Sequence, residues 1–296
     1  MAKIDVSNIF PYNKMEAVTV DGQAMVYIPK IWIRNTPLAA GATYADKIAY
    51  MISERAQTGY HLAPDFYTNG VENENGVQLS SYIASKDSSG KAASIAGATP
   101  WTSIAYTAID AAAKTRNTGT GEQAGWRAWN IYDHHLLARL MLFEAGSADI
   151  QTIIGGADGS MGVTYHGIHD VWGGTSYGFW IHGLTTTGSG NTITILDNQG
   201  KGTMVDTKIA APGGGWPVTL LDNTGDSYDL GDVFLAKTVT STEASGTLGD
   251  SLDLRGGYAF HALWGSGHTY CGPFGLYAGV PSDPSGSLGF RLARSC

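Results

Sequence analysis

The sequence is short of formal charge and of cysteine. Only 15% of its 296 residues are Asp, Glu, Lys or Arg, and the balance is acidic, −8 with histidine neutral. Sequence-independent binding to a phosphate backbone draws on basic patches, so nucleic acid is not an expected partner. The two cysteines, Cys271 and Cys296, cannot build a disulfide framework, and their spacing fits no multi-ligand zinc site. Two free thiols are the expectation, and a bridge between them is the alternative. Long apolar runs are missing as well. The most apolar helical stretch, near Leu136 to Ala145, is interrupted by Arg139 and Glu144 and is too short to span a bilayer. The opening Met-Ala-Lys-Ile-Asp-Val lacks the apolar core of a secretion signal, so a soluble protein made in the cytosol, with no membrane insertion, is expected. Neither a Gly-x-Ser-x-Gly elbow nor a phosphate-cradling Gly-x4-Gly-Lys-Ser loop occurs.

Glycine, at 40 residues, is abundant, and polarity comes from Ser, Thr, Asn and Gly rather than from ions. That composition favours a β- and loop-rich globule over a helical bundle. Ala17 to Val20 and Ala24 to Arg34 read as strands around the turn signal Asp21-Gly22, with Pro29 marking an edge or a bend. Ile104, Ala105, Ala108, Ile109 and Ala112 stand at helical spacing and predict a helix over Thr102 to Arg116. A second helix is expected from about Ile131 to Ala145, ended by Gly146. Its heavy apolar load implies protein on both sides. Phe179 to Leu184 reads as a strand, and Thr192 to Leu196 with Thr203 to Ile209 as a hairpin over Asn198 to Gly202. Val218 to Leu221 reads as a further short strand.

His134 and His135 sit side by side on the second helix, so their side chains diverge by roughly 100° and cannot share one ion. His135 and Arg139, one helical turn apart, are expected at the surface or at a cap. His166, His169 and His182, with Asp170 as an oxygen ligand, are the better metal candidates, although a loop His-x-x-His is a weak pattern. Asp222, Asp226, Asp229 and Asp232 recur around glycines. Such loops can hold calcium, but turn capping is the favoured role. No other cofactor is expected. A reactive thiol needs a neighbouring base or a cationic field, and for Cys271 the candidate base is His268, three residues before it, with an inert thiol the favoured reading.

The carboxyl-terminal region, 253–296, is the richest in signal. Tyr258, Phe260, His261, Leu263, Trp264, His268, Tyr270, Phe274, Leu276 and Tyr277 are interleaved with small residues and follow neither a helical nor a strict strand period. Rings on glycine-rich backbone suit a loop-built recognition surface, while closure of the domain's own core is the plainer alternative. The flanking Arg255-Gly256-Gly257, Cys271-Gly272-Pro273-Phe274-Gly275-Leu276 and Gly289-Phe290-Arg291-Leu292 resemble the formylglycine-generating-enzyme (sulfatase-modifying) superfamily. Its fold is C-type-lectin-like, and the likeness is greatest to its branch of phage adhesins and retroelement-diversified variable proteins. Met25 to Pro29, Ser94 to Pro100, Leu140 to Glu144, Gly167-Ile168 with Trp172-Gly173, and Trp180 to Leu184 add to the resemblance in chain order. The superfamily's oxidases use a pair of cysteines soon after Arg-Gly-Gly. Here Phe260 and His261 occupy those positions, so oxidase activity is not expected.

The resemblance implies an α+β, C-type-lectin-like fold with two helices, small antiparallel sheets and much loop. An N-terminal β-arm would cover 1–35 and the lectin-like domain 36–296, with a β insertion near 190–240. It further implies a virion receptor-binding protein that meets a host cell-surface protein or glycan through Tyr258 to Tyr277. Arg255, Gly256, Gly257, Trp172, Gly289, Phe290 and Arg291 would be the frame, with Phe290 in the core and Arg291 bonding loop carbonyls from within. Other virion tail proteins and a homo-oligomer, a trimer above all, are the remaining expected partners. A structural virion component and a divergent enzyme of the superfamily are the alternatives.

Overall fold

The chain first reverses at Asp21-Gly22, where both residues adopt positive φ, 47° and 73°, as the two-residue hairpin turn requires. The structure, a computed structural model, describes residues 3–37, 48–146, 153–154, 162–171, 178–187, 192–210, 224–225, 228–229, 259–262 and 276–296. The principal strands before the first helix are β1 (Glu16–Val20), β2 (Gln23–Ile28), β3 (Trp32–Pro37), β4 (Ile48–Ser53), β5 (His61–Leu62) and β6 (Val77–Ser80). Helix α1 (Tyr106–Lys114), strand β7 (Trp126–Ala128) and helix α2 (Ile131–Ala145) follow. The chain then forms β8 (Gly178–Thr186), β9 (Thr192–Leu196) and β10 (Met204–Ala210). It ends with β11 (Ala259–Ala262), β12 (Leu276–Gly279), β13 (Leu288–Gly289) and β14 (Leu292–Ser295). The architecture is mixed α+β, with two α-helices and several small, chiefly antiparallel sheets among the described residues. None of these helices is long and apolar enough to cross a membrane.

Sheet one is antiparallel in the order β1-β2-β6-β14-β7. The opening hairpin is therefore hydrogen bonded into the same sheet as the final strand, which lies between β6 and β7. Both faces of this sheet are covered. Val26, Leu79 and Ala293 stand opposite one another across three strands and belong to a core with α2. Met25 and Leu292 point the other way, into a core with α1, Trp180 and Phe290. A strand buried on two faces reads as a continuous apolar run, which accounts for Met25-Val26. The long second strand expected from the sequence is divided. β2 stops at Ile28, the chain bends at Pro29, which has no N–H to donate, and β3 joins a separate sheet ordered β4-β3-β5. The largest sheet runs β10-β9-β8-β11-β12, with β13 parallel to β8.

α2 begins with a reciprocal cap: the Asn130 side chain accepts from Tyr132 and Asp133 N–H, and Asp133 accepts from Asn130 N–H. It ends at Gly146, left-handed with φ 60°. α1 is shorter than its apolar spacing suggests. Ser103 has φ 56°, its N–H donates to Ser285 O, and the Ile104 carbonyl accepts the Trp180 indole N–H at 3.0 Å. Tertiary contacts thus take the groups that a longer helix would use. His135 and Arg139 require correction: both are buried, Arg139 to 2% exposure, as is the neighbouring His134. α2 is enclosed between the sheet-one core and β8, with His134 packed edge-on to Phe179 at 6.4 Å, so these positions face protein, whereas Phe143 near the helix end is exposed. Burial holds the His135 imidazole well below its ordinary pKa, with Arg139 and His134 adding to the effect.

Candidate functional site

β8 contributes both to the carboxyl-terminal frame and, at His182, to a polar cleft. In the frame, Gly289 lies where a Cβ would come within 3.2 Å of both Ile83 and the Trp101 carbonyl, so a side chain there would require its neighbours to shift by a few tenths of an ångström. Phe290 is fully buried, edge-on to Trp101 at 5.6 Å. Arg291 is fully buried too. Its guanidinium donates to the carbonyls of His169 and, at 2.8 Å, Asp170, with a longer contact to Ser80 O at 3.5 Å. It lies 4.9 Å from the Phe179 ring and 5.2 Å from that of Trp129. Burial pulls its pKa down to about 9 against the opposing charge of Asp170, which leaves it cationic at neutral pH.

β11 pairs with β8 and with β12: His261 stands opposite Trp180 on one side and Tyr277 on the other. Phe260 is opposite Ala278, and Ala262 opposite Leu276. β12 is last in the order of its sheet among the described residues. Tyr258, Leu263, Trp264, His268, Tyr270, Phe274, Arg255, Gly256, Gly257 and Trp172 lie outside the described residues, as do Cys271 and the strand expected over Val218 to Leu221. Cys296 carries a free thiol, its pKa raised by burial although Arg294 opposes this.

The metal candidates do not converge. His166 bonds Glu144 at 2.9 Å, His169 stacks on Tyr82 at 4.7 Å and meets Thr164, and His182 packs on Tyr106 at 6.0 Å. Among the described residues no cluster of three His, Cys, Asp or Glu side chains could hold a metal. Asp222, Asp226 and Asp232 lie outside them, and Asp229 belongs to a short strand, Tyr228–Asp229.

The cleft has a volume of about 350 Å³ and lies between α1, the start of α2, β8 and the β9–β10 turn. Its floor is ionic. Asp133 forms a two-pronged ion pair with Arg127, one arm at 2.8 Å. Beside it Asp65, 3% exposed, has its pKa held well above the carboxylate range by burial and by the Asp133 charge, against the attraction of Arg127. On α1, burial would raise the Asp110 pKa, but its 2.6 Å bridge to Lys114, the nearby His182 and the Ala128 N–H bring it below the usual value. Burial lowers the His182 pKa despite Asp110.

One wall is a turn fixed by backbone. The Asp197 carboxylate accepts from Gln199, Lys201 and Thr203 N–H. Asn69 and Gly70 N–H then donate to Gly200 and Gln199 carbonyls, tying the turn to the Tyr67–Glu72 hairpin. Gly200 has φ +65°, and a Cβ there would lie 2.2 Å from Tyr67 O, so glycine is required. Three polar atoms of cleft residues have no hydrogen-bond partner among the described residues: Asp65 Oδ1, Thr68 Oγ1 and His182 Nδ1. Sequence reasoning passed over Asp65, Asp110, Arg127 and Asp133. The available signal was the Asn130-x-x-Asp133 cap pattern and a lone Asp110 in a small-residue helix.

No protein-family model matches the chain. A comparison with curated proteins likewise returned no match.

Proposed function

We propose that this chain is a phage virion adhesin, a receptor-binding protein of C-type-lectin-like fold with an N-terminal β-arm. It recognises a host cell-surface protein or glycan through Tyr258 to Tyr277 and catalyses nothing. The observation that supports this reading is the contrast between frame and hairpin. Gly289-Phe290-Arg291 is locked into the core, with Phe290 and Arg291 fully buried, while β11 and β12 form the end of the adjoining sheet. A preorganised base that carries its recognition residues at a sheet end loses little entropy on binding, and substitutions there leave the core untouched. Trimerisation and attachment to other tail proteins would multiply weak contacts into avidity.

The test uses the purified full chain on a panel of bacterial cells, with binding read by flow cytometry. Combined Trp264→Ala, Tyr270→Ala and Phe274→Ala substitution should abolish labelling of the strains that bind, while circular dichroism and melting stay as in the parent. Undiminished labelling by a folded triple variant would dismiss this face.

A further inference from the structure

We propose that the cleft between α1, the start of α2 and the β9–β10 turn binds a neutral polyhydroxylated small molecule, of glycerol to monosaccharide size, by direct hydrogen bonds. This site is separate from the carboxyl-terminal hairpin and does not depend on the adhesin reading.

Apart from Lys201, whose side chain is exposed, the ionic groups around the cleft are already matched. Arg127 is held by Asp133, Lys114 by Asp110, and the Asp197 carboxylate by three backbone N–H groups. A charged ligand would have to break one of these pairs or enter without a counter-charge, and either is costly at a partly desolvated site. What remains unpartnered is Asp65 Oδ1, Thr68 Oγ1 and His182 Nδ1. Each belongs to a group of dual character. Burial favours Asp65 as the neutral acid and His182 as the neutral imidazole, and a hydroxyl both donates and accepts. A ligand hydroxyl answers either role at every one of these atoms. An ammonium or a phosphate could fill one of these roles, but each would carry its charge among groups already paired, whereas a hydroxyl brings none.

Size and rigidity agree with this chemistry. About 350 Å³ lies at the lower end of small-ligand sites, roughly 300–1,000 Å³. The wall carrying Thr68 is pinned by the Gly200 and Gln199 carbonyls, so the acceptors are set before a ligand arrives. The Tyr67 ring, half-buried at the rim, offers an apolar face for the C–H surface of a polyol.

The experiment is heteronuclear NMR on the deuterated full chain in EDTA buffer, titrated separately with glycerol, myo-inositol, glucose and galactose, and in parallel with sodium phosphate and lysine. At least one polyol should give saturable shifts at the amides of Thr68, His182 and Gly200. Thr68→Val, which keeps the shape of the side chain, should weaken that binding about fivefold, the loss of one neutral hydrogen bond. His182→Phe should do likewise, and Trp264→Ala should change nothing. The proposal is overturned if no polyol saturates, if Thr68→Val binds as the parent does, if Trp264→Ala abolishes the shifts, or if phosphate or lysine binds these amides more tightly than every polyol.

Discussion

Replacing Arg291 by Met tests whether the carboxyl-terminal frame is held by its buried cation. Methionine fills similar space without charge or donors. The substitution removes charge-assisted bonds to the carbonyls of His169 and Asp170, and both acceptors are left inside the protein. Stranding a buried acceptor costs about 1–3 kcal/mol each. Against this stands relief from burying a guanidinium whose pKa has already fallen to about 9 and whose Nε has no hydrogen-bond partner among the described residues. The net expectation is a loss of about 3 kcal/mol, which for a chain of this size lowers the melting temperature by roughly 5–10 °C. Differential scanning calorimetry measures that shift. Hydrogen exchange should localise it: the amides of Tyr165, Ile168 and His169, bonded within the 163–171 segment or to Ser81, should lose protection before those of β2. The loss should also persist in high salt, because the charge is buried. A melting temperature equal to the parent's would refute the reasoning and place Arg291 among buried cations that an apolar group replaces without penalty.

The β9–β10 turn offers an internal control. Gly200→Ala meets both a left-handed φ and the Tyr67 carbonyl, whereas Gly202→Ala, at φ +75°, has nothing within 4 Å. Urea midpoints should show about 1 kcal/mol lost at Gly202 and at least 2 kcal/mol at Gly200, and equal losses would contradict the docking described here. At the far end of α2, burial works against ionisation of Glu144, yet His166 Nε2 at 2.9 Å and Lys3 Nζ at 2.8 Å bring its pKa from 4.5 down to about 2. The folded pKa is the lower one, so the stabilisation is complete above pH 4.5 and is lost as pH falls through about 2. With solvent screening around the exposed Lys3, it amounts to about 1–2 kcal/mol. Glu144→Gln should flatten that acid limb in unfolding curves taken across the window, and an unchanged limb would place the acid sensitivity elsewhere.

How far the sequence foretold this structure depends on how local each cause is. α2 was legible because its apolar run and its stop at Gly146 are both local features. The β9–β10 hairpin was legible from its turn residues. α1 came out short because Ser103 and Ile104 bond to Ser285 and Trp180, partners far away in sequence. Reading His135 and Arg139 as surface groups failed for a related reason. Helical spacing says which residues share a face, but only the packed chain decides whether any face remains wet. The cleft gave the faintest signal. Asp65, Asp110, Arg127 and His182 come from four separate elements, and no local spacing relates them.

β8 joins the two places described above, and its irregularity explains how one strand serves both. At Phe179 and Trp180 it is paired with β11, beside the Arg291 frame. At His182 it turns to the start of α2 instead, its N–H donating to Trp129 O and its backbone bridging to Asn130. Pairing with β11 resumes out of register at Thr185, which is the signature of a bulge. The residue that allows this is Gly183, at φ +81°, where a Cβ would overlap Leu196 at 2.2 Å. Its N–H is satisfied by the Tyr106 hydroxyl at 2.9 Å, so the break leaves no donor stranded. An unbroken strand would continue the β11 ladder through His182. The bulge withdraws that residue from the ladder and gives it to the cleft, which divides β8 between a frame for the terminal hairpin and one wall of the polar site.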